Sequence, residues 1–183
     1  MKIGFASADR MTVRKIAICL LMLAPASGAS AAEVTIPAKL QPGPNEALVV
    51  TYAAKGVQVY ECRAKKDANG YEWAFVAPEA ELYDSRGQPV GRHGEGPFWR
   101  ASDGSKIVGT VKERVDAPTA GAIPWLLLST KSDGPAGTFS KVTSVQRVNT
   151  TGGIAPTDAC TADSVGKRAG IPYSADYRFF AVK

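Results

Sequence analysis

Apolar and polar residues alternate along most of the chain beyond residue 46, with the two-residue period of β-strands. Within residues 106–115, the apolar face holds Ile107, Gly109, Val111 and Val115, and the polar face holds Lys106, Thr110, Lys112 and Arg114. Residues 123–130 are apolar on both faces, which is typical of a strand buried on both sides. Glycine and proline turns separate these runs. The pattern predicts an all-β fold, a single antiparallel β-sandwich or barrel of about nine or ten short strands.

The start of this domain and its first two strands can be predicted from the residues that follow position 31. Residues 35–44 are rich in proline, so we expect 32–46 to be an extended lead-in and 47–183 to form one β domain. Residues 47–53 and 57–63 both alternate like strands, and the Ala-Lys-Gly stretch between them has the length of a hairpin loop. The first two strands are therefore predicted to form a hairpin.

The first 31 residues have the organisation of a signal peptide. Arg10, Arg14 and Lys15 precede the apolar run 16–25, and Ala29-Ser30-Ala31 matches the small-residue pattern of a cleavage site. The apolar run is too short to cross a bilayer, which takes about 20 residues. We therefore predict export to the periplasm or the extracellular space, with no membrane span after cleavage.

Removal of residues 1–31 changes the charge and cysteine content of the chain. The whole sequence has a formal net charge of +5, but residues 1–31 hold four basic and one acidic residue, so the remainder carries +2. A domain with so little charge and no basic cluster is not expected to bind nucleic acid. Cys62 and Cys160 remain, and two cysteines in an exported protein predict one disulfide.

Residues 91–105 (GRHGEGPFWRASDGS) contain the only histidine, His93. With Ser105 and Asp103 it supplies the residue types of a hydrolase triad, in which a histidine takes the proton of a serine nucleophile. Ser102 and Asp84 are substitutes for the serine and the aspartate. The nucleophile motif G-x-S-x-G is absent, and Asp103-Gly104 is a pair that tight turns prefer. A small secreted hydrolase centred on His93 is therefore the alternative interpretation.

Other chemistries find less support in the sequence. The carboxylates that a glycoside hydrolase would draw on are Glu79, Glu81, Asp84 and Glu95, and their spacing singles out no pair. A metal site at His93, Glu95 and Asp103 would lack the further nitrogen or sulfur ligands that zinc or copper prefers. No cofactor and no metal are expected.

An aromatic binding surface is the remaining candidate. Trp73 and Trp125 lie in apolar strands and are predicted to be core, whereas Trp99 lies in a Gly-Pro loop and is predicted to be exposed. The residues predicted to bind a ligand are His93, Glu95, Trp99 and Arg100.

Several separate motifs resemble the Domain of Unknown Function 3455 family, exported proteins of bacteria and fungi. They are GVQVYEC at 56–62, APEAELYDSRGQPVGRHGEGPFW at 77–99, DGS at 103–105, IPWLLL at 123–128, RVNTTGGIAP at 147–156, Cys160, and YSADY at 173–177. The resemblance implies export and one compact domain, and it implies no activity. Some fungal relatives carry a malate dehydrogenase label, but no G-x-G-x-x-G between a strand and a helix is present here. We therefore expect a non-enzymatic binding or envelope-associated module, whose partner is an unknown small molecule or envelope component.

Overall fold

Antiparallel strands follow one another around a closed barrel in the order in which they occur in the chain. The computed structural model describes Met1, Gly4, residues 35–66 and residues 68–183, so the predicted signal peptide lies outside the described residues apart from Met1 and Gly4. Across residues 35–66 and 68–183 the strands are β1 (Glu46–Ala64), β2 (Tyr71–Tyr83), β3 (Pro89–Gly94), β4 (Phe98–Ala101), β5 (Lys106–Val115), β6 (Trp125–Ser132), β7 (Val142–Gly152) and β8 (Arg168–Val182). Each strand pairs with the next, and β8 pairs with β1 to close the barrel.

The prediction of an all-β antiparallel fold is confirmed. Of the two predicted architectures, a sandwich and a barrel, the structure is a closed barrel. The described residues form eight strands instead of nine or ten, because the hairpin predicted around residues 54–56 is absent. Residues 53–59 pair on one edge with β2 and on the other with β8, so β1 continues through Gly56. A Cβ at Gly56 would lie 2.0 Å from Glu79 O, so glycine here permits a close approach of two strands, not a turn.

A β-bulge in β5 changes which side chains face the barrel interior. The register with β6 shifts between Val111, which pairs with Leu128, and Glu113, which pairs with Leu127. The extra residue reverses the alternation that follows it. Arg114 therefore faces inward and Val115 packs outside, so the prediction that Val115 shares a face with Val111 is wrong.

The barrel core is mostly aromatic and closes one end of the interior. Phe179 stacks on Phe139, with ring centroids 4.5 Å apart, and Tyr52 contacts both rings. Phe139 belongs to the β6–β7 loop, which folds back over this end, and its side chain is fully buried. That end of the barrel is filled by protein.

A second, smaller cluster lies on the outside of the barrel wall. The segment predicted as an extended lead-in contains a 3-10 turn at Ala38–Leu40, and Leu40 packs with Trp125, Leu127 and Val148. Gln146 Nε2 donates a hydrogen bond to Leu40 O, which holds the turn on β7. Residues before β1 therefore cover part of the wall.

Cys62 and Cys160 form the predicted disulfide, which joins the end of β1 to the segment before β8. It spans a sequence separation of 98 residues, beside an ion pair between Arg168 and Glu61. None of the helical segments in the described part of the chain is long and apolar enough to cross a membrane.

Candidate ligand-binding site

The barrel wall is incomplete where the β3–β4 hairpin is shorter than its neighbours. β3 and β4 span six and four residues, whereas β2 and β5 span thirteen and ten. β2 pairs with β3 only over Ala80–Tyr83, and β5 pairs with β4 only over Lys106–Val108. The edges 71–79 and 111–115 extend past the hairpin tip, which leaves a lateral opening in the wall.

A cavity of about 420 Å³ lies inside the barrel at this opening. Phe75 and Val111 stand at its mouth, where their side chains are 50% and 51% exposed although both are apolar. The walls behind them are mainly apolar and include Val76, Pro78, Ile123, Leu126 and Leu128. The volume lies within the range of roughly 300–1,000 Å³ that is usual for small-molecule pockets, which are mostly lined by apolar side chains.

Three aromatic rings border the cavity deeper in the barrel. The His93 ring stacks on Trp99, with centroids 4.6 Å apart and 14° between planes, and Tyr177 lies 4.8 Å from His93 and 5.4 Å from Trp99. His93 and Trp99 are a directly paired couple on β3 and β4, so both side chains point to the same face. A Cβ at Gly109 would lie 2.8 Å from the Trp99 ring, so glycine on β5 makes room for the indole.

The imidazole of His93 is neutral in this position. Nδ1 lies 2.7 Å from Phe98 O, and because a carbonyl oxygen only accepts, Nδ1 carries the proton. Burial lowers the pKa of His93 to about 3, and the nearby charge of Arg147 acts in the same direction. His93 is therefore a fixed hydrogen-bond donor within the fold.

Two buried N–H donors of the cavity lining have no hydrogen-bond acceptor. They are Gln58 Nε2 on β1 and Trp99 Nε1 on β4, in side chains that are 2% and 1% exposed. Burial raises the pKa of the Tyr173 hydroxyl, and the neighbouring Gln58 amide opposes that rise, although no hydrogen bond of normal geometry joins the two side chains. A buried donor without a partner costs about 1–3 kcal/mol, so both groups favour an acceptor in the cavity.

Arg147 on β7 adds a positive charge to the same cavity. Its Nε and Nη2 atoms donate to Pro124 O at 3.0 and 2.9 Å, and it belongs to none of the ion pairs within residues 35–66 and 68–183. Arg114 also lines the cavity, whereas no carboxylate of the described residues does. The electrostatic character of the cavity is positive.

The residues predicted for a triad do not form one hydrogen-bonded group. Asp103 Oδ1 accepts hydrogen bonds from Ser105 N at 2.9 Å and Ser105 Oγ at 2.6 Å, and Oδ2 accepts from Thr138 N and Oγ1 at 2.8 Å. Ser105 Oγ accepts from Phe139 N at 3.1 Å, and His93 hydrogen-bonds to Phe98 instead. These donors hold the pKa of Asp103 far below its ordinary range. The Asp103–Ser105 pair anchors the β6–β7 loop.

The four residues predicted to bind a ligand separate into two pairs. His93 and Trp99 meet inside the barrel, whereas Glu95 and Arg100 are exposed outside it, with Arg100 over the Phe98 ring. The prediction that Trp99 is exposed is wrong, because the alternation of β4 turns Trp99 inward and Arg100 outward. It lines the cavity from within.

The carboxylates considered for glycoside hydrolysis do not converge on the cavity. Glu79 and Glu81 are exposed on β2, and Glu81 accepts a hydrogen bond from the Tyr83 hydroxyl. Asp84 accepts from the backbone N–H groups of Arg86 and Gln88 and so closes the β2–β3 turn. Glu81 and Asp84 therefore serve local structure.

Sequence reasoning missed Gln58, Arg147 and Tyr177 as lining residues. Gln58 lies between two valines, Arg147 lies between Gln146 and Val148, and Tyr177 alternates with Ala175 and Phe179 on the apolar face of its strand. That signal was available, but only the register of β1, β7 and β8 shows that all three face the same cavity.

The fold and the site define a class of protein, namely an up-and-down antiparallel β-barrel with one filled end and a lateral cavity lined by apolar side chains and N–H donors. The chain belongs to the family described as Protein of unknown function (DUF3455), which it matches over residues 42–181. The match covers every strand of the barrel apart from the last residue of β8. Comparisons with curated proteins and with solved structures found no match.

Proposed function

We propose that this protein is an exported, non-enzymatic module that binds one small, largely apolar molecule in the lateral cavity of the barrel. The observation that carries the proposal is the cavity of about 420 Å³ lined by apolar side chains and two unpartnered buried donors. Eight-stranded barrels are just wide enough to hold one small ligand when side chains do not fill them. The disulfide between Cys62 and Cys160 supports export, because such bonds persist in oxidising compartments.

The chemistry of the cavity favours binding over catalysis. The one imidazole donates to a backbone carbonyl and has a pKa of about 3, so at neutral pH it is held in a fixed structural role. Ser105 and Asp103 are hydrogen-bonded to each other and to the β6–β7 loop. A nucleophile and a base in mutual contact, as hydrolysis requires, are not supplied by these residues.

Binding of an uncharged fluorescent probe tests the proposal. N-phenyl-1-naphthylamine is weakly fluorescent in water and brightens in apolar surroundings, so titration of the purified chain should give a saturable increase at one site per chain. Val111→Trp places a larger side chain at the cavity mouth and should weaken binding about tenfold. Val49→Trp is the matched control, since Val49 is 53% exposed, close to the 51% of Val111, and does not line the cavity.

Two results would contradict the proposal. One is the absence of saturable probe binding to the wild-type chain. The other is equal binding by the wild-type, Val111→Trp and Val49→Trp proteins, which would place the probe on the outer surface.

A further inference from the structure

The lining of the cavity contains buried hydrogen-bond donors that have no acceptor in the protein. Gln58 Nε2 and Trp99 Nε1 are unpartnered, and the guanidinium group of Arg147 is charged in the same space. The Tyr60 hydroxyl, which also lines the cavity, already donates to Gly153 O at 2.7 Å. An oxygen-rich acceptor would satisfy these groups, whereas a second donor would not.

The charges around the cavity also have one sign. Arg147 and Arg114 line it without a carboxylate among the described lining residues, and Arg147 is half-buried. Arg147 is the direct cross-strand partner of Tyr177, so the two side chains lie on the same face. Burial raises the pKa values of Tyr60, Tyr173 and Tyr177, and the charge of Arg147 opposes that rise. A partly buried cation without a counter-ion attracts an anion more strongly than an exposed one does, because water screens it less.

We propose that the ligand is a monocarboxylate with an apolar body, whose carboxylate lies beside Arg147 and Gln58 and whose apolar part extends past Trp99 to the mouth at Phe75 and Val111. This inference rests on the proposed function. Arg147 and Gln58 are on the same side of the cavity, since Gln58 packs beside Ile123 at Gly153 and Arg147 donates to the carbonyl oxygen of the next residue, Pro124. A carboxylate has two oxygens that accept up to about four hydrogen bonds, and charge-assisted hydrogen bonds are the strong ones. The exposed apolar pair at the mouth suits an aliphatic or aromatic tail better than a second polar group.

Three ligands of equal chain length test the charge preference on the unmodified protein. Octanoate, 1-octanol and octylamine are titrated by calorimetry at pH 7.5 and low salt. Octanoate should bind about tenfold more tightly than 1-octanol, and octylamine should bind more weakly than either. The difference in affinity between octanoate and 1-octanol should diminish in high salt, because salt screens the charge of the arginines that line the cavity.

Variants of two arginines test the position of the carboxylate. Arg147→Gln should reduce the preference for octanoate over 1-octanol to less than about twofold, and Arg147→Lys should retain most of it. Arg178→Gln is the matched control, because Arg178 is also a half-buried arginine with a protein partner, Gln146 Oε1, but does not line the cavity. Arg178→Gln should leave the preference unchanged. Circular dichroism and melting curves establish that each variant is folded.

The outcomes separate this inference from the proposed function. If the naphthylamine probe binds and octanoate binds no better than 1-octanol, or neither octanol nor octanoate binds, the carboxylate assignment is wrong and the apolar site stands. If the preference for octanoate persists in folded Arg147→Gln, the carboxylate does not lie at Arg147. If the probe also fails to bind, the proposed function itself is overturned.

Discussion

The imidazole of His93 stacks on the indole of Trp99 inside the barrel, with ring centroids 4.6 Å apart. The pair closes the inner end of the lateral cavity and continues into the aromatic core through Tyr177 and Phe179. Two residues from a loop-like stretch of the sequence are thus part of the wall of the candidate binding site.

The burial of His93 predicts a loss of stability in mild acid. The folded-state pKa is about 3 and the ordinary value is 6.5, so the unfolded chain takes up a proton at this residue before the folded chain does. The neutral His93 therefore costs no stability well above pH 6.5. The free energy of unfolding decreases as the pH falls from 6.5 toward 3, because only the unfolded chain takes up the proton. Between pH 7 and pH 5 the free energy of unfolding should decrease by about 2 kcal/mol, measured by urea denaturation.

His93→Gln is the control for that prediction, because His93 is the only histidine in the chain. The variant should be less stable at pH 7, yet should lose much less than the wild-type protein between pH 7 and pH 5. An equal decrease in both proteins would show that another group causes the acid sensitivity.

Ser105→Ala should destabilise the fold by about 1–3 kcal/mol, because it leaves the buried Phe139 N–H without its acceptor. Ser102→Ala, at an exposed position three residues earlier, should change the free energy of unfolding by less than about 0.5 kcal/mol. Chemical denaturation of both variants measures the difference. A Ser105→Ala protein with wild-type stability would contradict the anchoring role of Ser105.

Replacement of both Cys62 and Cys160 by serine should lower the stability by about 2–5 kcal/mol, since the disulfide restricts the unfolded chain over a separation of 98 residues. Thermal melting of the wild-type protein with a reducing agent should reproduce most of the effect. The same agent should not change the melting temperature of the double variant. Equal melting temperatures for oxidised wild-type protein and double variant would contradict a stabilising disulfide.

Leu40→Ala should cost about 2–5 kcal/mol, because Leu40 is fully buried against Trp125 and Val148 although it precedes the first strand. Lys39→Ala, at the exposed neighbouring position, is the control and should have little effect on urea denaturation. If the two variants are equally stable, residues 35–41 are a dispensable lead-in, as their proline content alone suggests.

The predictions from the sequence agree with the structure where a local residue pattern is enough to assign a feature. Alternation identified the strands of 106–111 and 142–148, and the even number of cysteines left after residue 31 identified the Cys62–Cys160 bond. They differ where pairing decides the outcome. The Ala-Lys-Gly stretch at 54–56 is a turn by composition, but hydrogen bonds to β2 and β8 on both edges keep it extended.

The sequence predicted some of the residues that line the candidate site and missed others. His93 and Trp99 were selected because a histidine and a tryptophan stand together in a glycine-rich stretch. Their burial was not predicted, because strands as short as the six residues of β3 and the four residues of β4 carry too little alternation to assign a face. Glu95 and Arg100 were selected by proximity in the chain, yet Glu95 lies in the exposed turn between β3 and β4, and the alternation of β4 turns Arg100 away from the cavity.

By itself, the sequence determined that this protein is a β domain with one disulfide and that residues 91–105 deserve scrutiny, since strand periodicity, cysteine count and turn residues are local properties. Only the tertiary structure decided that the sheet closes into a barrel, and that Gln58, Trp99 and Arg147 line one cavity although they are far apart in the chain. Closure depends on the register between strands, and a bulge such as that at Val111 and Glu113 reverses the inward and outward positions beyond it. The lateral opening likewise follows from unequal strand lengths, which become a gap only when the strands stand side by side.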